Sequence, residues 1–304
     1  MWDLRTATHN ASLLDLPLQA ALGELWLHNA RATASDSSRK AALQRARGYL
    51  ISALELGQVL EAREVADLHV ALNRVLDMQG DLAACRHWAE KCVARQVLWE
   101  NPWQRPGHFL RGLGASAWHA ANCFELCRRL EAAYPQIKAE LLSLGACWGR
   151  VGERAAHDGA LVAAGEWNEV VLLGDSEECF GHRQKCPATS AVLAARPEAA
   201  HCAQLGVGEA LFSRLKPGTR LRTHCGPTNM RLTCHLGLVI PEGCTITAGQ
   251  ETRTWEEGRC LVFDDSFEHS VENTSDQSRV ILLVNFWHPA IPPTEWQQRA
   301  AGLA

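Results

Sequence analysis

The chain has 304 residues, 47% apolar and 21% charged, with a formal net charge of −4. This is globular composition, with length for about two domains. It excludes disordered, collagen-like and coiled-coil chains, and the acidic balance argues against a nucleic-acid protein held by bulk charge.

No apolar run approaches the roughly 18 residues of a membrane-spanning helix. The N-terminal MWDLRTATHNASLLDL lacks a basic region followed by an apolar one. No leader is expected, and a cytoplasmic location is. The 12 Cys are many for the cytosol and far too few for a small disulfide scaffold.

Residues 1–98 read as helical: Ala and Leu dominate, and strand-like alternation is absent. A weak internal repeat sets Ala46, Tyr49 and Ala53 against Cys85, Trp88 and Cys92, 39 residues later. Small residues around an aromatic suit the second helix of a tetratricopeptide-like pair, with Gly80-Asp81 at the turn; a generic helical bundle is the alternative. Residues 99–149 read as a helical connector, with Pro135 marking a break or a new first turn. From about 166 short β-rich runs follow one another: EWNEVVLL, GEALFSRL, RLRTH, RLTCHLGLVI, CTITAG, TRTWEEG, RCLVFDD, HSVEN and RVILLVNFW. Turn sequences separate them. Residues 150–304 are therefore expected to form a β-sandwich or jelly roll, and the chain an α+β protein.

The chemistry concentrates in 213–289, which holds His224, His235, His269 and His288, with Arg279 ten residues after His269. Two imidazoles on separate jelly-roll strands with a downstream Arg suit a non-haem iron site that binds an α-keto acid. Fe(II) takes imidazole nitrogens and leaves positions open for co-substrate and O2. The distal carboxylate of the keto acid needs a planar, permanently charged partner. A carboxylate two residues after the first His usually completes such a site, and here that position is Gly226. Three completions stay open: water, a halide (which would permit halogenation), or a carboxylate from Asp264 or Asp265. His288 reads as structural, and Asn229 as shaping the site.

Cys85 and Cys92 occupy Ala-like helix positions and read as packing thiols. Cys123 and Cys127, four apart on a predicted helix, could be half a metal site, but no second pair matches them, so core packing is the expectation. Cys225 and Cys234 flank the site with side chains expected to point away from it.

The run contains HCGPTN, HLGLVIP, WEEG and FDDSFEH in that order. It resembles the catalytic domain of the aspartyl/asparaginyl β-hydroxylases, closely over 213–289 and loosely over 150–290. The resemblance implies a double-stranded β-helix behind tetratricopeptide-like helices, binding Fe(II), 2-oxoglutarate and O2. It implies that two His alone hold the metal, at positions matching His224 and His269, so that Gly226 is the expected residue. The implied 2-oxoglutarate contacts are Ser213, His235 and Arg279, and Arg231 matches a family Arg on the same strand. The implied reaction is β-hydroxylation of Asp or Asn in a peptide or protein.

One position departs from the pattern: the family Arg two residues before His235 is Thr233 here. Arg231, Arg220 or Arg222 could substitute for it. Alternatively the same iron chemistry acts on a lipid acyl chain or a small amino acid. A reading of a different class is a non-catalytic helical-repeat binding protein with a degenerate jelly roll. The spacing of Cys179 and Cys186 matches a disulfide of animal members, beside the options of two thiols or a zinc site with His182. Animal members act in the endoplasmic reticulum, which leaves the compartment open.

Overall fold

A computed structural model describes residues 16–32, 35–56, 62–151, 161–174 and 177–303. The N-terminal stretch read for a leader lies almost wholly outside these residues. The chain divides into two compact units, Met1–Gly107 and His108–Ala304. The connector expected over 99–149 is thus shared between them. No helix among the described residues is long and apolar enough to cross a membrane.

The first unit holds helices α1 (Leu16–Ala32), α2 (Asp36–Leu56), α3 (Ala62–Gln79) and α4 (Leu82–Ala94), each packed on the next. Ala46, Ala53, Cys85 and Cys92 are buried, as close helix approach requires, with Tyr49 and Trp88 covered between them. Gly80 takes a left-handed φ of 71° at the turn before α4. Asp81 then caps that helix, its Oδ1 accepting from the Ala84 N–H at 3.0 Å while Arg47 bonds Oδ2 at 2.8 Å. Asp81→Ala is expected to cost this unit about 1 kcal/mol, read as a lower Tm by circular dichroism.

The second unit opens with the edge strand β1 (Trp118–His119), then α5 (Glu125–Ala132) and α6 (Tyr134–Ser143), with Pro135 in the first turn of α6. The strands follow: β2 (Gly149–Arg150), β3 (Val162–Ala164), β4 (Trp167–Leu173), β5 (Ala210–Leu215), β6 (Arg220–His224), β7 (Arg231–Val239), β8 (Cys244–Ala248), β9 (Glu251–Arg253), β10 (Cys260–Phe263), β11 (His269–Asn273) and β12 (Arg279–Trp287). Three helices lie between β4 and β5: α7 (Glu177–Lys185), α8 (Pro187–Ala194) and α9 (Pro197–Gln204); α10 (Trp296–Ala301) closes the series. Those three sit inside the expected jelly-roll region, in the stretch between EWNEVVLL and GEALFSRL for which the sequence predicts no element. Pro187 and Pro197 at first helical turns are the local start signals of α8 and α9.

The strands form a seven-stranded sheet, β1-β10-β7-β12-β5-β4-β2, and a five-stranded one, β3-β6-β11-β8-β9, paired antiparallel throughout. Leu215, Phe263 and Ile281 of the larger sheet meet Leu221, Ile246 and Val271 of the smaller in one apolar cluster, which makes the double-stranded β-helix. Alternation sends Leu232, Cys234 and Leu236 of β7 to the opposite face, where α5, α6, α8 and α9 cover them.

One irregularity positions the site. On β11, His269 pairs with His224 and Val271 with Leu221, so two steps on β11 match three on β6. The extra residue resets alternation. Leu221 and His224 both turn to the sheet interface, while Arg220 and Arg222 stay exposed.

Candidate active site

His224 ends β6 and His269 begins β11, and their rings lie 4.1 Å apart at 52°. Each ring is fixed by its own strand. His224 Nδ1 bonds the Arg222 carbonyl at 2.8 Å and His269 Nδ1 the Phe267 carbonyl at 2.9 Å. A carbonyl only accepts, so each Nδ1 carries the proton and each neutral ring keeps its lone pair at Nε2, the form that ligates a metal. Burial lowers the pKa of His269, with the neighbouring Asp265 carboxylate opposing the shift.

At Gly226 an added Cβ would lie 2.7 Å from Asp265 Cγ and 2.9 Å from its backbone oxygen. A side chain there cannot coexist with Asp265 as placed. Asp265 comes instead from the turn before β11. Its Oδ2 takes Arg231 Nη2 at 2.8 Å, and its buried Oδ1 has no hydrogen-bond partner among the described residues. Burial works against the Arg231 charge, but the Asp265 carboxylate outweighs it and raises the guanidinium pKa. Arg231 Nη1 is also spent, on the Val207 carbonyl. Gly226→Asp, which writes the usual third ligand back in, is expected to lower stability by about 1–3 kcal/mol through overpacking without tightening the binding of a divalent metal. Thermal unfolding and metal titration of the variant check both halves.

The second half of the site lies on β7, β12 and β5. His235, Trp255, Phe263 and His269 form a continuous aromatic series, with centroids 6.0 Å (His235–Trp255), 5.0 Å (His235–Phe263) and 5.5 Å (Phe263–His269) apart. Trp255 Nε1 donates to His235 Nδ1 at 3.3 Å, so the neutral His235 ring carries its proton on Nε2, the reverse of the His224–His269 pair. That buried Nε2 has no partner among the described residues. Burial, then Arg279, holds the His235 pKa well below the usual histidine range.

Arg279 is 2% exposed, and its Cζ lies 4.4 Å over the Trp255 ring. Its Nε and Nη1 have no hydrogen-bond partner among the described residues, and burial pulls its pKa down to about 10. It remains charged at neutral pH. Ser213, buried on β5, accepts from Trp167 Nε1 at 3.0 Å, which leaves its hydroxyl proton to donate elsewhere.

The donor set therefore fits two kinds of group. Two imidazoles 4.1 Å apart, each with Nδ1 bonded to a carbonyl and Nε2 left to ligate, suit a divalent metal. A buried guanidinium and a ring N–H without acceptors among the described residues, together with the Ser213 hydroxyl, suit a dianion.

Thr233 is buried between Arg231 and His235 on the same strand, its Oγ1 accepting from Asn285 Nδ2 at 2.9 Å. Asn285 Oδ1 in turn accepts from the Glu209 N–H at 3.1 Å. Asn229 clamps a loop, its side-chain amide bonding both the N–H and the carbonyl of Leu110 at 2.8 Å. His288 is buried with its ring 6.2 Å from that of His119. Cys225 is partly buried beside the site and Cys234 faces away from it. No disulfide joins Cys179 and Cys186: the first packs with Val171 and Leu211, the second in the large outer core. His182 Nδ1 bonds the Val171 carbonyl. Sequence reasoning missed Trp255, Phe263 and Trp167; WEEG was noted as a motif, but the packing of its indole was not legible in it.

A sequence model described as aspartyl/asparaginyl beta-hydroxylase matches residues 131–289. The human aspartyl/asparaginyl beta-hydroxylase is 36% identical over 197 residues, 64% of this chain and 25% of that protein. Human aspartate beta-hydroxylase domain-containing protein 2 is 40% identical over 138 residues, 44% of this chain and 37% of its own. Mouse aspartate beta-hydroxylase domain-containing protein 1 is 50% identical over 93 residues, 30% and 26% respectively. The chain spans about a quarter of the human and mouse aspartyl/asparaginyl beta-hydroxylases it matches. Among solved structures, a predicted oxalate decarboxylase from Thermotoga maritima aligns at TM-score 0.27 and 16% identity over 40% of this chain and 82% of that one. The chain belongs to the aspartyl/asparaginyl β-hydroxylase family.

Proposed function

We propose that the protein is an Fe(II)- and 2-oxoglutarate-dependent dioxygenase that hydroxylates Cβ of Asp or Asn residues in a peptide or protein. One observation carries this reading: two imidazoles protonated at Nδ1, His224 and His269, are joined through the rings of Phe263, His235 and Trp255 to the buried guanidinium of Arg279, whose Nε and Nη1 have no hydrogen-bond partner among the described residues. His224 and His269 hold the iron through Nε2. Iron bound there supplies the oxidising power for C–H hydroxylation, with 2-oxoglutarate and O2 consumed and succinate and CO2 released.

The chain's own side chains bind and orient. Arg279 pairs with the distal carboxylate of 2-oxoglutarate, and Ser213 donates its hydroxyl to the same group. Trp255 lies under the guanidinium and fixes its plane. His235, whose proton Trp255 directs to Nε2, donates to the other end of the keto acid. Arg231 holds Asp265, whose spare oxygen would be left to accept a hydrogen bond from a group bound beside the two imidazoles. The apolar cluster of Leu215, Ile246 and Ile281 closes the barrel behind them and keeps bulk water out.

A second reading concerns the substrate. Thr233 is neutral and tied to Asn285, and Arg231 is committed to Asp265. Neither presents an idle charge to an acidic side chain, so a neutral small amino acid or an acyl chain is the alternative substrate for the same iron chemistry. The test supplies Fe(II), 2-oxoglutarate and O2 with a panel of Asp- and Asn-bearing peptides, free amino acids and acyl lipids. Succinate release together with a mass gain of one oxygen atom identifies the class. No succinate with any member, and none uncoupled, would remove the oxygenase reading and favour a binding protein.

A further inference from the structure

On the face of β7 opposite the active site, three thiols from three elements converge: Cys127 of α5, Cys234 of β7 and Cys260 of β10. Their sulfurs all lie within 4.8 Å of one another, and Cys127 and Cys234 are 3.7 Å apart. The cluster is covered, with Cys127 1% exposed, Cys234 0% and Cys260 6%. None of the three is in a disulfide, whose S–S length of about 2.05 Å is far shorter than these separations.

We propose that Cys127, Cys234 and Cys260 form a binding site for a soft, three-coordinate metal ion, Cu(I) before others. Metal–thiolate bonds of about 2.3 Å in a planar trigonal site set the sulfurs roughly 4 Å apart. The observed triangle, with one edge at 3.7 Å and none beyond 4.8 Å, is close to that size, so side-chain rotation is expected to close it. Thiolate donors select soft ions. Zinc wants a fourth ligand, and among the described residues no fourth Cys, His, Asp or Glu joins the group. The core around the thiols is built of aliphatic side chains such as Leu126, Leu130 and Leu236. The nearby carboxylate of Glu131 is already spent on the Cys260 N–H at 2.9 Å and on Arg259 at 3.3 Å. Three soft donors in an apolar shell suit an ion that is content with three. Each thiolate formed on binding releases its proton to solvent.

The test uses the full chain, reduced and metal-free, titrated anaerobically with Cu(I) against a chromophoric Cu(I) chelator. One equivalent is expected to be withheld from the chelator. X-ray absorption of that complex is expected to show three sulfur neighbours at about 2.3 Å. Cys127→Ala, Cys234→Ala and Cys260→Ala should each weaken retention by at least about tenfold, and Cys123→Ala and Cys147→Ala should not. Absence of a withheld equivalent overturns the proposal. Nitrogen neighbours in the absorption spectrum do so as well, since they would mark a histidine site, as does equal retention by the triple Ala variant. The spectrum of the wild-type chain decides even if a variant fails to fold. The outcome is independent of the oxygenase reading, because none of the three thiols belongs to the active site.

Discussion

Removing either imidazole, in His224→Ala or His269→Ala, is expected to abolish turnover and to weaken metal binding by more than about 100-fold. The magnitude follows from ligand number. Losing a group that merely orients a ligand costs about 10–100-fold in affinity, and here a ligand itself is lost from a site that has only two. Gly226 cannot supply a substitute, and Asp265 is held by Arg231 at 2.8 Å. Equilibrium dialysis with Fe(II) or Co(II), beside succinate release, measures both effects. If both variants turn over at the wild-type rate, the assignment of the metal to this pair is wrong.

Arg279→Met should move two quantities in opposite directions. Without co-substrate Arg279 is a buried charge with two donor nitrogens that lack partners among the described residues. Replacing buried charge by an apolar side chain of similar volume is neutral or stabilising by about 1–4 kcal/mol, so Tm without co-substrate stays level or rises. Removing one partner of a buried charge pair costs about 3–5 kcal/mol. At about 1.4 kcal/mol per decade that is roughly 100- to 1,000-fold or more in 2-oxoglutarate affinity. Arg279→Lys keeps the charge but loses the planar fork and its seat on Trp255, so it should recover only part of the loss. Thermal shift with and without 2-oxoglutarate separates the two effects. An unchanged response to 2-oxoglutarate in Arg279→Met would remove the residue from co-substrate binding.

The strands that build the barrel were legible because their chemistry is local. RLRTH, HSVEN and RVILLVNFW alternate or run apolar between turn residues, and they became β6, β11 and β12 residue for residue. The three helices between β4 and β5 were not, because short helices of low amphipathicity read as little more than loop. Strand alternation also failed at β6. Arg220, Arg222 and His224 share a parity, so an ideal strand puts all three on one face; the bulge against β11 separates them. That irregularity arises from pairing with a strand some 45 residues away, and no window around His224 contains it. Asp265 was visible as a residue, but not the way its backbone oxygen and carboxylate fill the space above Gly226. For the same reason Cys127 was sought in company with Cys123. Its neighbours lie on β7 and β10, and only the folded sheet brings them together.

Trp255 sits at the junction of the proposed co-substrate subsite, its indole nitrogen bonded to His235 and its face against Arg279. A carboxylate arriving at that guanidinium neutralises the positive field directly above the ring, so the indole's emission should change in wavelength and yield as the subsite fills. The chain has 11 Trp, but the difference between wild type and Trp255→Phe isolates this one signal. Fluorescence then offers a clock for keto-acid loading that runs without iron, oxygen or an identified acceptor.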